Sequence, residues 1–518
     1  MAVLLSLAAF LGITAVMAAW GPQLLDDGYY YLQVAWNISR GAGSSFDGIH
    51  PTNGYHPLWQ LMLVPVFWVF SKGAALWAAV VLQSILFCAS GILLYRLVRV
   101  SGGSGPASAA AAGFWVLNLW LWGKGAMSGM ETGLLLFLFG LSLLSFIEVL
   151  RKEGEGWKLG ILLALTVAAR LDSLALAVAA PAVLAACGRG RRAFRAAIPT
   201  AGYLAVYFSL NLLLFGGATP VSGYVKSREG LRLLGGLLRE GDTAVFGRFL
   251  KNAVSLVTLG GRMPLLPALV AVLSAALLVL LAYRKAKEPL RGLILVVAVY
   301  GFLILGFYSL MYPSILGAYT YYWLPLLMGV SAAGFSALGM TGRRTRRLML
   351  VSSAAFLLFF DAVYAADRLG SYSFSVPEEE RPDAAGVAFL DSLEGEVLVG
   401  SWDAGYVGYN CRHPVVNLDG LVAGYDYQRF LDSSGLEEWI RAAGITHLAN
   451  VDYFSGKRSF IEERLEWVSV FEDTAAMPGA VSLFSLSPSD LEYSARRTRI
   501  FFVYAPQVTA EGSYPTRS

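Results

Sequence analysis

Cysteine is almost absent. Cys88, Cys187 and Cys411 are the three in 518 residues, far apart and without C-x-x-C or other metal-type spacing, so neither a disulfide framework nor a cysteine-based structural zinc is implied. Charge is scarce as well: Asp, Glu, Lys and Arg make up 15% of the chain against roughly 25% in soluble domains. Apolar residues reach 56%. That balance excludes a string of soluble domains and implies an integral membrane protein. The net charge of +4 hides an asymmetry, because residues 1–366 carry net +15 and residues 367–518 carry net −11. The positive residues lie in short clusters between apolar runs, not in one patch, so no nucleic-acid partner is expected.

What the chain has instead is a series of long apolar runs. A helix crossing a hydrocarbon core of about 30 Å needs about 20 apolar residues. The sequence offers about eleven candidates: residues 2–20, 74–98, 107–123, 133–150, 158–169, 173–187, 197–215, 264–283, 292–311, 321–341 and 348–366. The fifth and sixth are short and share a polar break at Arg170, Leu171 and Asp172, read as a tight turn at one face. Clusters of positive residues at Arg96/Arg99, Arg151/Lys152/Lys158, Arg189/Arg191/Arg192/Arg195, Arg284/Lys285/Lys287/Arg291 and Arg343/Arg344/Arg346/Arg347 fall at every second connection. By the positive-inside rule those connections are cytoplasmic. Residues 1–370 are therefore expected to form a polytopic α-helical membrane domain with outer loops 21–73 and 216–263, and residues 371–518 an extracytoplasmic α/β domain.

The first span reads as a retained signal anchor. Residues 57–71 are apolar but too short to cross and contain Pro57 and Pro65, so they read as a re-entrant or interfacial segment. Leu25, Tyr29, Leu32, Ala35, Trp36 and Ser39 recur every three or four residues and predict an amphipathic helix lying on the membrane over 24–40. In the tail, β-rich runs at 396–401, 415–420, 447–452, 467–473 and 481–486 alternate with helical patterns near 378–393 and 434–443. The DAGYVGY segment (403–409) is not a G-x-G-x-x-G fingerprint, so no nucleotide site is assigned there.

Acids are sparse in the membrane part, and Asp26, Asp27 and Asp47 all fall in the first outer loop. Asp26 and Asp27 follow the first span and open the amphipathic helix, which puts their carboxylates at the water–lipid boundary, the depth of a lipid-linked substrate's headgroup. An Asp at a helix start is ordinarily a cap interacting with the helix dipole. An adjacent pair exceeds that need, and neighbouring carboxylates raise one another's pKa enough to make a proton acceptor. The rest of the loop packs Asp47, His50, Asn53, Tyr55, His56 and Trp59 between turn-forming Gly and Pro. Solvated loop histidines and a metal site are the competing accounts of His50 and His56, and contact with phosphate or sugar is favoured over metal. Glu131 stands alone in the second outer loop, where a helix N-terminal carboxylate is the plain account. Arg170 with Asp172 could be an interfacial ion pair or a bidentate grip on phosphate. Lys226 in the fourth loop could meet an anion. Tyr319, Tyr321, Tyr322 and Trp323 would sit in any aromatic belt.

Several of these motifs together resemble the GT-C class of polytopic glycosyltransferases, within it the group of protein O-mannosyltransferases, lipid A aminoarabinose transferase and mycobacterial arabinofuranosyltransferases. The segments that carry the resemblance are DDGYYYLQVAWNISRGAG (26–43), TNGYHPLW (52–59), SGMETGL (128–134), ARLDS (169–173) and FGGATPVSGYVK (215–226), with an outer α/β tail containing AGYVGY and VVNLDGL. The resemblance covers nearly the whole chain, and its first loop is the most specific part. It implies inverting transfer of one sugar from a polyprenyl-phosphate donor to a glycan, lipid or protein acceptor at the extracytoplasmic face of the plasma (inner) membrane. An acid of the first-loop pair is then the general base, Asp26 by position, with Asp27 as the other assignment. His56 stands where lipid A transferases carry a Lys before Pro. Arg170 stands where a basic residue meets the donor phosphate, with Lys226 a further phosphate contact, and Glu131 matches the second-loop acid. Asp47, His50, Asn53, Tyr55 and Tyr322 are candidate substrate contacts. The WWDYG-type signature of oligosaccharyltransferases is missing. No cofactor is required by this scheme, and a divalent cation at Asp26, Asp27 and Glu131 stays open. The competing class is a lipid-headgroup or lipid-linked-sugar transporter without covalent chemistry, which would favour charges near mid-span or repeated broken helices.

Overall fold

The computed structural model describes residues 1–22, 24–241, 243, 246–247, 250, 283–311, 320–369, 381–452, 460–476 and 498–506. The longer apolar runs become long helices: α1 (Ala2–Trp20), α4 (Lys72–Val100), α6 (Thr132–Leu150), α9 (Gly190–Phe215), α11 (Leu290–Met311) and the stretch Tyr321–Met340 that contains α12 (Leu324–Ala337). These six are, among the described residues, the helices long and apolar enough to cross a membrane. Between them lie α2 (Asp26–Ser39), α3 (Pro57–Val69), α5 (Gly105–Val116), α7 (Trp157–Ala169), α8 (Leu174–Ala186) and α10 (Val221–Glu240), and α13 (Arg343–Leu369) follows.

Several expectations need revision. Residues 107–123 are not one span: α5 stops at Val116, and Asn118 starts a new turn by accepting from Leu121 N–H at 3.1 Å. The chain then enters a π-helical turn at Trp122–Ala126. The short pair α7 and α8 is split at Arg170, whose extended backbone (φ −162°) breaks the helix before the 3₁₀ turn Leu171–Ser173. Of residues 57–71, Pro57–Val69 form the 13-residue α3, which stays too short to cross, and residues 348–366 lie inside the 27-residue α13. The outer loop 216–263 holds α10, which its run of Gly and Arg had concealed. The expected span 264–283 lies outside the described residues except for its last position, and Tyr319 lies outside them altogether.

The basic connections gather at one end. Arg151 donates to Val100 O, Arg192 Nη1 to Val149 O at 3.3 Å and Arg189 to Leu150 O at 3.4 Å. Gly292 packs on Leu150, and Gly339 lies against the backbone of Gly102. The opposite end carries the tail domain. There β1 (Val399–Ser401), β2 (Val415–Asn417), β3 (His447–Asp452), β4 (Trp467–Ala476) and β5 (Thr498–Pro506) form a sheet in the order β2-β1-β3-β5-β4, with β2-β1-β3 parallel and β3-β5-β4 antiparallel. Four of the five expected strands are present, and the fifth (481–486) lies outside the described residues. The strand paired between β3 and β4 is instead the unforeseen β5. The helices are α14 (Pro382–Ser392), α15 (Gly405–Asn410), α16 (Tyr425–Ser433) and α17 (Leu436–Ala442).

The larger revision concerns α2. Neither of its sides faces water, because both are buried against protein. Tyr31, Leu32 and Ala35 pack with Trp59, Leu63 and Phe67 of α3 and with Ala75 and Ala79 of α4. Tyr30 and Val34 pack with Phe46 and, in the tail, with Val387, Val399, Val407, Val415 and Phe501. The tail domain therefore shares a core with α2 and the loop that follows it. Gly54 allows the closest approach, since a Cβ there would lie 2.0 Å from Leu421 O and 3.0 Å from Val422 Cα. Gly54→Ala should cost about 1–3 kcal/mol through overpacking. A lower melting temperature with faster proteolysis of the tail is the expected result, and an unchanged protease pattern would refute this docking geometry.

Candidate functional site

A cavity with about 460 Å³ of empty space, its mouth included, opens beside the start of α2. Its walls come from five separate segments: Asp27, Tyr30 and Tyr31 of α2; Gly54, Tyr55 and His56; Met130 and Glu131; Arg170; and Ser222 and Lys226 of α10, with Tyr322 and the tail residue Leu421 completing it. Local chemistry fixes each wall. The turn carrying Glu131 is pinned by Gln83, which donates to Gly125 O at 3.2 Å and Ser128 Oγ at 2.8 Å and accepts from Gly129 N–H at 2.9 Å. Trp59 Nε1 donates to Gly129 O at 3.1 Å, and Leu25 N–H donates to Ser128 O at 3.1 Å. Gly129 sits at φ +76° and faces Gly28 Cα, so the turn and the helix start can touch only because neither residue bears a side chain.

The cavity holds two acids, Asp27 and Glu131, and three potential donors, His56, Arg170 and Lys226. Glu131 is 1% exposed and Arg170 2%. Glu131 Oε1 lies 3.7 Å from Arg170 Nε and 3.9 Å from His56 Nε2, and neither carboxylate oxygen accepts a normal hydrogen bond. It occupies the N-cap position of α6, as the helix N-terminal account expects, but makes no side-chain capping hydrogen bond there. Arg170 Nε is 3.1 Å from Asp172 Oδ2, which Tyr308 OH also engages, and the guanidinium lies 3.9 Å over the Tyr322 ring. Its Nη1 is buried without a partner, as is His56 Nδ1. Burial, reinforced by Arg170, pushes the His56 imidazole down to about 3. At neutral pH His56 is thus an uncharged donor or acceptor and not a cation. Burial and neighbouring Glu131 hold the Tyr31 phenol well above its ordinary range. Across the cavity Lys226 Nζ is 3.8 Å from Asp27 Oδ2. Buried polar atoms left without partners cost about 1–3 kcal/mol each, and here they converge on one space.

The two first-loop acids separate. Asp27 lines the cavity, but Asp26 does not. Both oxygens of Asp26 accept backbone N–H groups from the tail, Oδ2 from Gly405 and Oδ1 from Tyr406, each at 3.0 Å. Tyr30 OH beside it accepts from Ala404 N–H at 3.2 Å and Asn417 Nδ2 at 3.1 Å. Burial raises the Asp26 carboxyl to about 7 against the lowering effect of the two amide bonds, with Asp403 and Asp27 adding repulsion.

Asp47, His50 and Asn53 lie apart from this cavity. Asp47 Oδ1 accepts from Ser45 Oγ, Ile49 N–H and His50 N–H, and its Oδ2 pairs with His50 Nδ1 at 2.6 Å. Burial would raise Asp47, but the His50 contacts outweigh it and lower the carboxyl, while the same hydrogen bond raises His50. The two line a second depression with Asp426, Tyr427 and Trp439 of the tail. Asn53 is a buried junction: it donates to Asn211 Oδ1 at 2.7 Å and Thr219 O at 3.0 Å and accepts from Val221 N–H at 3.0 Å. Tyr30, Tyr31, Gly54, Met130, Ser222 and Leu421 line the cavity without having been singled out from sequence. The tyrosines follow the acid pair directly, whereas nothing local marks Leu421. Asp26, Asp27 and Glu131 do not converge, and no group of three or more metal-ligating side chains occurs among the described residues.

Compared with known protein families and with curated proteins, the chain matches none.

The Asp26 contact makes a pH prediction. The folded state keeps this proton up to about pH 7, whereas an unfolded Asp loses it near 3.9. The folded form thus binds more protons over that interval, and stability contributed by Asp26 falls as pH rises from about 4 to 7. Thermal unfolding across that range should show this slope, and Asp26→Asn should flatten it; an unchanged slope would sink the assignment.

Proposed function

We propose that the protein is an inverting glycosyltransferase of the GT-C type, in which Asp27 is the general base and Arg170 holds the leaving phosphate of a polyprenyl-phosphate sugar. The observation that carries this reading is the cavity itself. A carboxylate, Asp27, and a buried guanidinium with an unsatisfied N–H, on Arg170, share one polar space at the end of a bundle of apolar helices. The acceptor hydroxyl attacks the anomeric carbon and forms the new C–O bond while its proton passes to Asp27. The bond from the anomeric carbon to the phosphate oxygen breaks, and its electron pair stays on the polyprenyl phosphate. Arg170 and Lys226 stabilise the charge that develops there, and neutral His56 contributes a hydrogen bond. A phosphate leaving group needs no protonation, so one acid suffices. Glu131 orients Arg170 and offers its free oxygens to sugar hydroxyls.

The positive-inside rule places the basic end in the cytoplasm, and the cavity and tail on the extracytoplasmic side of the plasma membrane. The tail forms part of the cavity through Leu421, which suits a role in admitting or shielding the acceptor.

Three substitutions test the scheme. Asp27→Asn should lower turnover about 10²- to 10⁴-fold, the usual contribution of a general base, with donor affinity nearly unchanged and the acid limb of the pH–rate profile abolished. Asp26→Asn should retain that limb. A normal rate in Asp27→Asn, or loss of the limb in Asp26→Asn instead, would overturn the assignment. Arg170→Ala should weaken binding of a donor analogue about 10- to 150-fold, the loss of one charge-assisted contact. Equal affinity in a folded variant would reject the phosphate role. Unchanged sugar moving across liposomes without transfer product would favour the transporter instead.

A further inference from the structure

Away from the cavity, two cations share one aromatic ring. The Arg40 guanidinium, at the C-terminal end of α2, lies 4.2 Å from the centroid of Trp36, and Lys72 Nζ lies 5.8 Å from the same ring and 4.7 Å from that of Tyr409. Neither cation has an ion-pair partner within 4 Å among the described residues. Aromatic faces stabilise both cations, and Asp391 adds a favourable charge at Lys72 while its oxygen is engaged by Arg412 N–H at 2.8 Å.

The surroundings indicate what else the two cations can bind. Lys72 is the first residue of α4, one of the helices suited to crossing the membrane. Immediately before it Trp68 is 69% exposed and Phe70 45%. Trp36 meets α3 through Phe67 at 5.8 Å between ring centroids, which ties the cation pair to this apolar edge. Exposed aromatic residues beside basic ones, where a helix enters the bilayer, mark the headgroup level. We infer that Arg40 and Lys72, flanking Trp36, bind the phosphate of an anionic phospholipid headgroup in the leaflet that faces the tail domain. The site is separate from the cavity and does not depend on the transfer reaction. Its consequence is structural: the lipid holds the edge of α2 and α3 at a fixed depth.

Native mass spectrometry of the full chain, titrated with phosphatidylglycerol and phosphatidylcholine of the same acyl composition, tests it. The unmodified protein should retain phosphatidylglycerol more tightly. Each basic residue near an anionic surface is worth a factor of about five, so Arg40→Ala should weaken phosphatidylglycerol about five-fold and the R40A/K72A pair about 25- to 30-fold, with phosphatidylcholine unaffected. The exchange R40K/K72R should keep the preference. Arg40 is exposed, so the single variant reads out even if the double variant misfolds. Equal retention of the two lipids by the unmodified protein, or an undiminished preference in Arg40→Ala, would overturn the inference. Displacement of phosphatidylglycerol by polyprenyl phosphate would also overturn it, by assigning the cations to the donor.

Discussion

Consecutive residues on an α-helix point about 100° apart, and at the start of α2 that rotation sends two adjacent carboxylates to different surroundings. Asp26 turns to the tail and is consumed by the amides of Gly405 and Tyr406. Asp27 turns to the cavity and faces Lys226. The same rotation continues along the helix, with Tyr30 and Val34 in the core shared with the tail and Tyr31, Leu32 and Ala35 in the core shared with α3 and α4. Nearly everything else about the site depends on this double burial. A helix resting on a lipid surface would leave its carboxylates in water, whereas one clamped from both sides fixes them.

The cavity illustrates why buried charge is arranged so sparingly. Arg170 and Glu131 are almost fully enclosed, and a buried ion pair gains little net stability once desolvation is counted. Glu131 at 3.7 Å from Arg170 Nε is also too far for a good hydrogen bond. The contact from Asp172 at 3.1 Å and stacking on Tyr322 complete part of the guanidinium's needs and leave Nη1 over. Such incompleteness is costly in a purely structural network. The neutral state of His56 fits the same economy, because a third cation beside Arg170 and Lys226 would repel both.

Much of this molecule was legible in the chain. Composition and run length are enough for the membrane class and for the long helices, since burying a helix in hydrocarbon demands apolar residues along its whole length. The break at Arg170, the alternation of basic connections and four strands of the tail were also readable, each from local pattern. Asp27, Tyr55, His56, Glu131, Arg170, Lys226 and Tyr322 could be named because polar groups stand out against so apolar a background, and all seven line one cavity.

What tertiary structure alone decided are matters of direction and partner. Whether Asp26 or Asp27 faces the cavity depends on which side of α2 the tail covers, and the tail follows it by more than 350 residues. Asn53 reads as a polar loop residue, yet its amide joins three segments at Asn211, Thr219 and Val221. Leu421 has no local mark at all and enters the cavity because Gly54 leaves room for its backbone. Sequence pattern carries periodicity, charge and run length, which are properties of neighbours along the chain. The docking of the tail onto α2 and the loop after it is a contact between surfaces distant in sequence, and its energy resides in shape and hydrogen bonding that appear only once both surfaces are folded.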